Sequence, residues 1–109
     1  MTFATLLLSH KNRVSTITLN RPPLNIVTPE LQHELLTAFD ELEARDETRC
    51  VVLTGSGTRA FCAGADLGDE ARHTPEAGQV FRETGRKLVE RIETFPKPIV
   101  AAVRGWCIG

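Results

Sequence analysis

Long hydrophobic runs are missing from this sequence of 109 residues. Its apolar stretches fall far short of the ~20 residues that a membrane-spanning helix requires. The N-terminal segment MTFATLLLSHK carries no basic residue before its short apolar run, which is typical of a first β-strand and not of a secretory signal. The sequence therefore predicts no membrane as a partner.

An excess of charge of one sign is also missing. The 13 basic and 14 acidic residues give a formal net charge of -1, and they are interleaved along the chain. Nucleic acids and anionic membrane surfaces bind clustered basic residues, so neither is expected as a partner. With 41% hydrophobic and 25% charged residues, the composition is typical of one globular domain.

Cysteine is scarce. Cys50, Cys62 and Cys107 are odd in number and contain no C-x-x-C pair, which argues against a disulfide framework and favours a reducing, cytoplasmic location. Each cysteine has apolar or small neighbours, so a small buried hydrophobic residue is the simplest interpretation. The Glu, His and Cys residues show no metal-ligand spacing, and no metal site is predicted.

Strand patterns occur at four places along the chain. Two runs rich in Thr, Leu, Val and Ile, 3–8 and 14–19, are joined by the polar link 10–13 and predict an antiparallel hairpin. The consecutive apolar residues 51–53 and 99–103 predict two strands of a parallel sheet that is covered on both faces.

Helix patterns separate these strands. The tripeptides Thr28-Pro29-Glu30 and Thr74-Pro75-Glu76 each combine a hydroxyl cap, a proline at the first helical position and an acidic first turn. Apolar spacing then predicts one helix to about residue 44 and a second with an apolar face that ends at Phe95. The alternation of strands and helices predicts an α/β fold.

A turn of small residues follows the first parallel strand, in the motif FCAGADL at 61–67. Small residues let a ligand approach the backbone, so that main-chain N–H groups can bind it. The second parallel strand leads into a similar turn between Gly105 and Gly109. If the two strands are neighbours, both turns lie at one sheet edge, and two N–H groups can form an oxyanion hole for a carbonyl oxygen that gains negative charge.

The residues alone leave other interpretations open. FCAGADL can pack a turn against a helix that Asp66 caps, or Asp66 can act as a general base. Cys62 and His73 can form a thiol nucleophile pair. The polar residues 68–73 are expected to be a mobile loop, and Trp106 can either line a pocket or fill a gap in the core.

Four segments in order carry a resemblance to a known family: LNRP at 19–22, CVVLTG at 50–55, RAFCAGADL at 59–67 and PKPIVAAVRG at 96–105. Together they resemble the enoyl-CoA hydratase/isomerase family, the crotonases. The resemblance implies a truncated, crotonase-like spiral of β-β-α units, in which residues 1–109 are the N-terminal part of a single acyl-CoA-binding domain. It also implies a parent enzyme that is a homotrimer or hexamer and stabilises a thioester enolate through backbone N–H groups.

By this resemblance, the Ala65 N–H is the catalytic group, as the first oxyanion donor. Pro23 and Leu24 match an early loop that helps cover the coenzyme, Ala63 lines the coenzyme crevice, and Arg59 contacts a phosphate. The full set of positions implied to bind the coenzyme A part of the substrate is Pro23, Leu24, Arg59, Ala63, Gly64, Asp66, Leu67 and Gly109. No separate cofactor is expected, because coenzyme A belongs to the acyl-CoA thioester substrate.

The sequence also departs from the family pattern. Its early loop, RPPLN at 21–25, is one residue shorter than the commoner family loop and is similar to that of cyclic dienoyl-CoA hydratases. In the family, the second oxyanion donor directly follows the position of Gly109, and the catalytic glutamates lie further on. The isolated chain is therefore expected to be inactive as a hydratase, and the competing class is a non-catalytic fragment or interaction subunit.

Overall fold

The computed structural model describes residues 2–65 and 74–109. The elements follow in this order: β1 (Leu6–Lys11), β2 (Val14–Leu19), α1 (Pro29–Ala44), β3 (Cys50–Gly55), β4 (Ala60–Cys62), α2 (Pro75–Glu93), β5 (Ile99–Ala102) and β6 (Trp106–Cys107). One sheet has the strand order β1-β2-β3-β5, and β4 pairs with β6 in a second sheet. The predicted α/β class is confirmed.

The first two strands form the predicted antiparallel hairpin, in which Lys11 faces Val14. The turn is tighter than the predicted link, because β1 continues to Lys11 and leaves only Asn12 and Arg13 to reverse the chain. Both turn residues have positive φ, 52° and 65°. A turn of this hand matches the right-handed twist of the paired strands, which allows pairing up to the turn.

Both helices begin as predicted. The Thr28 hydroxyl accepts a hydrogen bond from Leu31 N–H at 3.2 Å, and the Thr74 hydroxyl accepts one from Ala77 N–H at 3.2 Å. Helix α1 ends at Ala44, close to the predicted end. Neither helix in this described part of the chain is long and apolar enough to cross a membrane.

The core lies between α1 and one face of the larger sheet. The sheet contributes Leu6, Ile17, Leu19 and Val51, and the helix contributes Leu31, Leu35, Ala38, Phe39 and Leu42. On α2, Leu88 and Ile92 pack against the edge of this cluster, as the predicted apolar face requires. The Phe39 and Phe95 rings meet edge to face with centroids 5.4 Å apart.

The prediction that both parallel strands are covered on two faces is wrong. Strands β2, β3 and β5 are parallel neighbours as expected, but Val51 is fully buried while Val52 is only half-buried, and Val100 is 53% exposed. Successive residues of a strand point to opposite faces, and both helices pack on the face that carries Val51. No element of the described ranges covers the other face.

Lys97, between α2 and β5, caps the C-terminal end of α1. Its ammonium donates hydrogen bonds to the carbonyl oxygens of Leu42 at 2.7 Å and Arg45 at 2.8 Å. The last carbonyl groups of a helix have no partner within the helix and carry partial negative charge. A cation from a distant part of the chain therefore satisfies both.

Glu34 fastens the start of the chain to α1. Its carboxylate accepts hydrogen bonds from Ala4 N–H at 2.9 Å, Thr5 N–H at 2.7 Å and the Thr5 hydroxyl at 2.6 Å. Burial by itself raises the pKa of Glu34, but these hydrogen bonds to the charged form outweigh it and hold the pKa below its ordinary value of 4.5.

We expect the free energy of unfolding to fall in acid partly through Glu34. Because the pKa is lower in the folded state, this contribution is present above the unfolded value of 4.5 and is lost as the pH falls through the folded value. Urea unfolding of the chain and of Glu34→Gln should differ more at neutral pH than at about pH 3. Equal differences at the two pH values would contradict this role.

Candidate active site

The FCAGADL motif leaves β4 and meets the early loop through the backbone. Ala63 N–H donates to the Leu24 carbonyl oxygen at 3.0 Å, and Val27 N–H donates to the Gly64 carbonyl oxygen at 2.8 Å. Val27 and Ala65 also form an isolated parallel bridge. The structure thus places two sets of predicted site residues, Leu24 and Ala63 to Ala65, next to each other.

The two turns of small residues also meet. Gly64 has φ +99°, and a Cβ on it would lie 3.3 Å from the Ile108 carbonyl oxygen. A Cβ on Gly109 would lie 3.9 Å from the Gly64 Cα. The positive φ and the close backbone together favour glycine at position 64, and Gly109 lies beside the motif as the sheet order predicts.

A short parallel pair of strands, β4 and β6, holds these turns together. Trp106 N–H donates to the Arg59 carbonyl oxygen at 3.1 Å, and Ile108 N–H donates to the Cys62 carbonyl oxygen at 2.9 Å. Sequence reasoning treated both segments as turns and missed the pairing. The only sequence signals are the apolar pairs at 61–62 and 106–107, which are too short to predict strands.

Ala65 is exposed at the end of this arrangement. Its N–H donates no hydrogen bond to any atom of residues 2–65 or 74–109. An amide that is fixed by its neighbours and has no protein acceptor can donate to an oxygen atom of a ligand. The backbone here can therefore bind a carbonyl or an anionic oxygen.

Asn25 positions the early loop and was missed by the sequence reasoning. Its fully buried side chain accepts from Arg21 N–H at 2.9 Å and donates to the carbonyl oxygens of Ala60 at 2.9 Å and Ser56 at 3.2 Å. Its φ of 51° is a conformation in which asparagine is enriched. This single side chain connects the early loop to the turn before β4.

A cleft of about 460 Å³ lies beside the early loop, and its lining includes Arg21, Pro23 and Leu24. The Arg21 guanidinium donates to the Ile26 carbonyl oxygen at 2.9 Å. The residues that line this cleft do not include Ala65 or Gly109. The loop residues predicted to cover the coenzyme, Pro23 and Leu24, therefore line a cavity whose walls do not include the Ala65 amide.

Other predicted residues lie elsewhere. Arg59 is exposed and directly precedes β4, at the opposite end of that strand from Ala63, and its contact with a phosphate stays a prediction. Asp66, Leu67, His73 and the loop 68–73 lie outside the described residues. The capping and base interpretations of Asp66 and the Cys62–His73 pair therefore stay predictions.

Metal ligands do not cluster in the described part of the chain. Within 2–65 and 74–109, no group of three or more His, Cys, Asp or Glu residues is arranged to hold a metal ion. The site in these ranges consists of main-chain groups and small side chains.

The match to a sequence profile decides the family. The profile described as Enoyl-CoA hydratase/isomerase matches residues 9–109. The chain belongs to the enoyl-CoA hydratase/isomerase family. The segments that carry the resemblance in the sequence all lie within this matched range.

Curated relatives of this family include both reaction types in their names. A probable enoyl-CoA hydratase of Rhodobacter capsulatus is 40% identical over 110 residues, which cover 100% of this chain and 42% of that protein. The 1,2-epoxyphenylacetyl-CoA isomerase of Escherichia coli is 38% identical over 109 residues, covering 94% of this chain and 41% of that protein. The chain thus spans about two fifths of the length of these relatives.

Solved structures show the same relationship. An enoyl-CoA hydratase/isomerase from Xanthobacter autotrophicus matches with a TM-score of 0.89 and 34% identity, over 97% of this chain and 40% of that chain. An enoyl-CoA hydratase from Bacillus anthracis matches with a TM-score of 0.87 and 33% identity, over 93% of this chain and 40% of that chain. The chain therefore has the fold of the matched 40% of these two structures. The predicted fold class, a truncated crotonase-like α/β fold, is confirmed.

Proposed function

We propose that this chain is the acyl-CoA-binding part of a crotonase-type enzyme, in which the Ala65 N–H donates to the thioester carbonyl oxygen. One observation carries the proposal: Ala65 is exposed, and its amide has no acceptor in the described ranges. It lies where the early loop, the end of β4 and the end of β6 converge. The family membership makes a thioester the expected ligand.

The chemistry that this amide suits is enolate formation. When a thioester becomes an enolate, or when a nucleophile adds to its conjugated double bond, negative charge moves to the carbonyl oxygen. A donor that is already oriented stabilises this charge more than the neutral carbonyl, and removal of such a donor typically costs about 3 kcal/mol of transition-state stabilisation. Hydration and isomerisation, which appear in the names of the relatives, both fit this charge shift.

The proposal extends to the role of coenzyme A, the oligomeric state and the substrate. Coenzyme A enters as part of the substrate and not as a bound cofactor, and the parent protein is a homotrimer or hexamer. Within the family, the short early loop RPPLN favours a cyclic dienoyl-CoA as substrate. These 109 residues by themselves are expected not to hydrate an enoyl-CoA, because the family's second oxyanion donor and its catalytic glutamates lie beyond the position of Gly109.

A second candidate function is that of a non-catalytic interaction subunit. The observation that favours it is the apolar surface around β5 and β6, where Val100, Val103, Trp106 and Ile108 are between 48% and 60% exposed. Exposed apolar surface of this kind is typical of an interface. Analytical ultracentrifugation separates the two: a stable monomer that binds acyl-CoA would contradict the interaction subunit.

Binding can be measured through Trp106, the one tryptophan of the sequence. It is 60% exposed on β6, so it does not fill a core gap, and it is close enough to the two turns to report a ligand there. We expect crotonyl-CoA to change its fluorescence in a saturable way, and the same sample to show no hydration of crotonyl-CoA. Turnover that depends on Ala65 would overturn the inactivity of the isolated chain.

A pair of glycine variants provides the matched control. Gly64→Ala places a Cβ 3.3 Å from the Ile108 carbonyl oxygen, whereas a Cβ on Gly57 meets nothing within 4 Å, and both positions have positive φ. Both substitutions therefore strain the backbone, but only Gly64 lies at the site. Affinity for crotonyl-CoA should fall at least about tenfold in Gly64→Ala, which corresponds to about 1.4 kcal/mol, and stay unchanged in Gly57→Ala. Equal affinities would contradict binding at this turn.

A further inference from the structure

The two turns that meet at the candidate site carry the same tripeptide pattern. Cys62-Ala63-Gly64 ends β4, and Cys107-Ile108-Gly109 ends β6. In the parallel pairing of these strands, the Cα atoms of Cys62 and Cys107 are partners, after a shift of register between Ala60 and Cys62. Two cysteines that are far apart in the sequence are therefore brought to the same position of a small sheet.

Their placement satisfies the first requirement of a disulfide. Neighbouring strands lie roughly 4.8 Å apart, and disulfide-bonded cysteines have Cα atoms about 4.4–6.8 Å apart. Two hydrogen bonds hold the strands together here, one of 2.9 Å from Ile108 N–H to the Cys62 carbonyl oxygen and one of 3.1 Å from Trp106 N–H to the Arg59 carbonyl oxygen.

The third cysteine does not share this arrangement. Cys50 begins β3, and its partner in the neighbouring strand β2 is Val14. All three cysteines are free thiols in this structure. Cys50 therefore serves as an internal control for any reaction that depends on the pairing of β4 with β6.

We propose that Cys62 and Cys107 form a reversible disulfide, which makes the base of the two turns a site of thiol oxidation. The oxidant is a low-molecular-weight disulfide. The thiolate of Cys107, which is exposed, attacks one sulfur atom of the oxidant, forms a mixed disulfide and releases one small thiol. The thiolate of Cys62, which is half-buried, attacks the Cys107 sulfur and releases the second small thiol.

Electrons and protons balance in this reaction. Two protein thiols lose two electrons and two protons in total and become one disulfide, while the small disulfide gains them and becomes two thiols. The register of the pair is irregular between Ala60 and Cys62, so a disulfide there departs from the usual geometry, in which the Cβ atoms are ~3.8 Å apart. A bond made under such strain is readily reduced, so an excess of small thiol returns the pair to the dithiol.

Peptide mapping tests this directly, because trypsin separates the three cysteines. Cleavage after Arg49, Arg59, Arg72 and Arg104 yields CVVLTGSGTR, AFCAGADLGDEAR and GWCIG, with one cysteine each. The full chain is treated with oxidised glutathione at low protein concentration, quenched in acid, alkylated and digested. We expect AFCAGADLGDEAR linked to GWCIG as the dominant disulfide product, formed within one chain and lost on treatment with reduced glutathione.

The controls decide whether the fold is responsible. Cys50→Ser should keep the linked peptide, and Cys62→Ala and Cys107→Ser should each abolish it. The yield of the linked peptide should fall at least about fivefold when oxidation is performed on the urea-unfolded chain. Equal yields in the folded and unfolded chain, separate glutathione adducts on each cysteine, or links that involve Cys50 at similar yield would each overturn the proposal. Disulfide formation does not require acyl-CoA binding, so this test stands apart from that of the proposed function.

Discussion

Replacement of Ala65 by proline should lower the turnover of crotonyl-CoA by about 10²- to 10³-fold in an enzyme completed from a relative. The suitable protein is a chimera that joins these 109 residues to the part of the Rhodobacter capsulatus relative that the chain does not cover. Proline has no N–H, so the variant removes the proposed oxyanion donor. The loss should appear in kcat, because the hydrogen bond strengthens as charge develops on the oxygen.

Two features make this variant interpretable. The Ala65 N–H has no acceptor in residues 2–65 and 74–109, so its removal breaks no hydrogen bond that the structure describes there. Ala65→Gly retains the N–H and should keep kcat within about threefold. If Ala65→Pro matches Ala65→Gly while both chimeras unfold at the same temperature, the amide is not an oxyanion donor and the proposed mechanism is wrong.

Replacement of Asn25 by alanine should lower the free energy of unfolding by about 3 kcal/mol, the largest stability effect that we expect. The substitution leaves three backbone groups without their partner, namely Arg21 N–H and the carbonyl oxygens of Ser56 and Ala60. An unsatisfied buried group costs about 1–3 kcal/mol; the hydrogen bond to Ala60 is buried, and those of Arg21 and Ser56 are part-buried and add less. The φ of 51° at this position adds strain for alanine.

Ser56→Ala is the matched control for this prediction. It removes only the hydrogen bond of 3.4 Å from the Ser56 hydroxyl to the Asn25 side chain, which is long and contributes less than about 1 kcal/mol. Urea unfolding of both variants measures the two effects on one scale. If Asn25→Ala loses no more stability than Ser56→Ala, the side chain does not anchor the early loop.

The sequence was most informative where one local rule decides the structure. The hydroxyl caps at Thr28 and Thr74 and the prolines after them specify where both helices begin, because capping depends only on near neighbours in the chain. Coverage of β3 and β5 was mispredicted, since consecutive apolar residues do not reveal how many helices pack on each face. That depends on which side of the sheet α2 takes, which is a property of the tertiary structure.

The candidate site also contains some features that the sequence predicts and others that it does not. The proximity of Gly64 and Gly109 followed from the order of parallel strands, a general property of α/β sheets. The role of Asn25 could not be predicted, because its partners Ser56 and Ala60 lie 31 and 35 residues away. No local sequence pattern indicates contacts over such distances.

The bond between Lys97 and the end of α1 has a consequence for the order of folding. The carbonyl oxygens of Leu42 and Arg45 obtain their donor from a residue that is 55 and 52 positions later in the chain. During synthesis, the final turn of this helix therefore emerges well before the group that completes it. Its full protection against solvent exchange should await the arrival of the segment that leads into β5, which couples the first helix to the last strand of the larger sheet in one cooperative step.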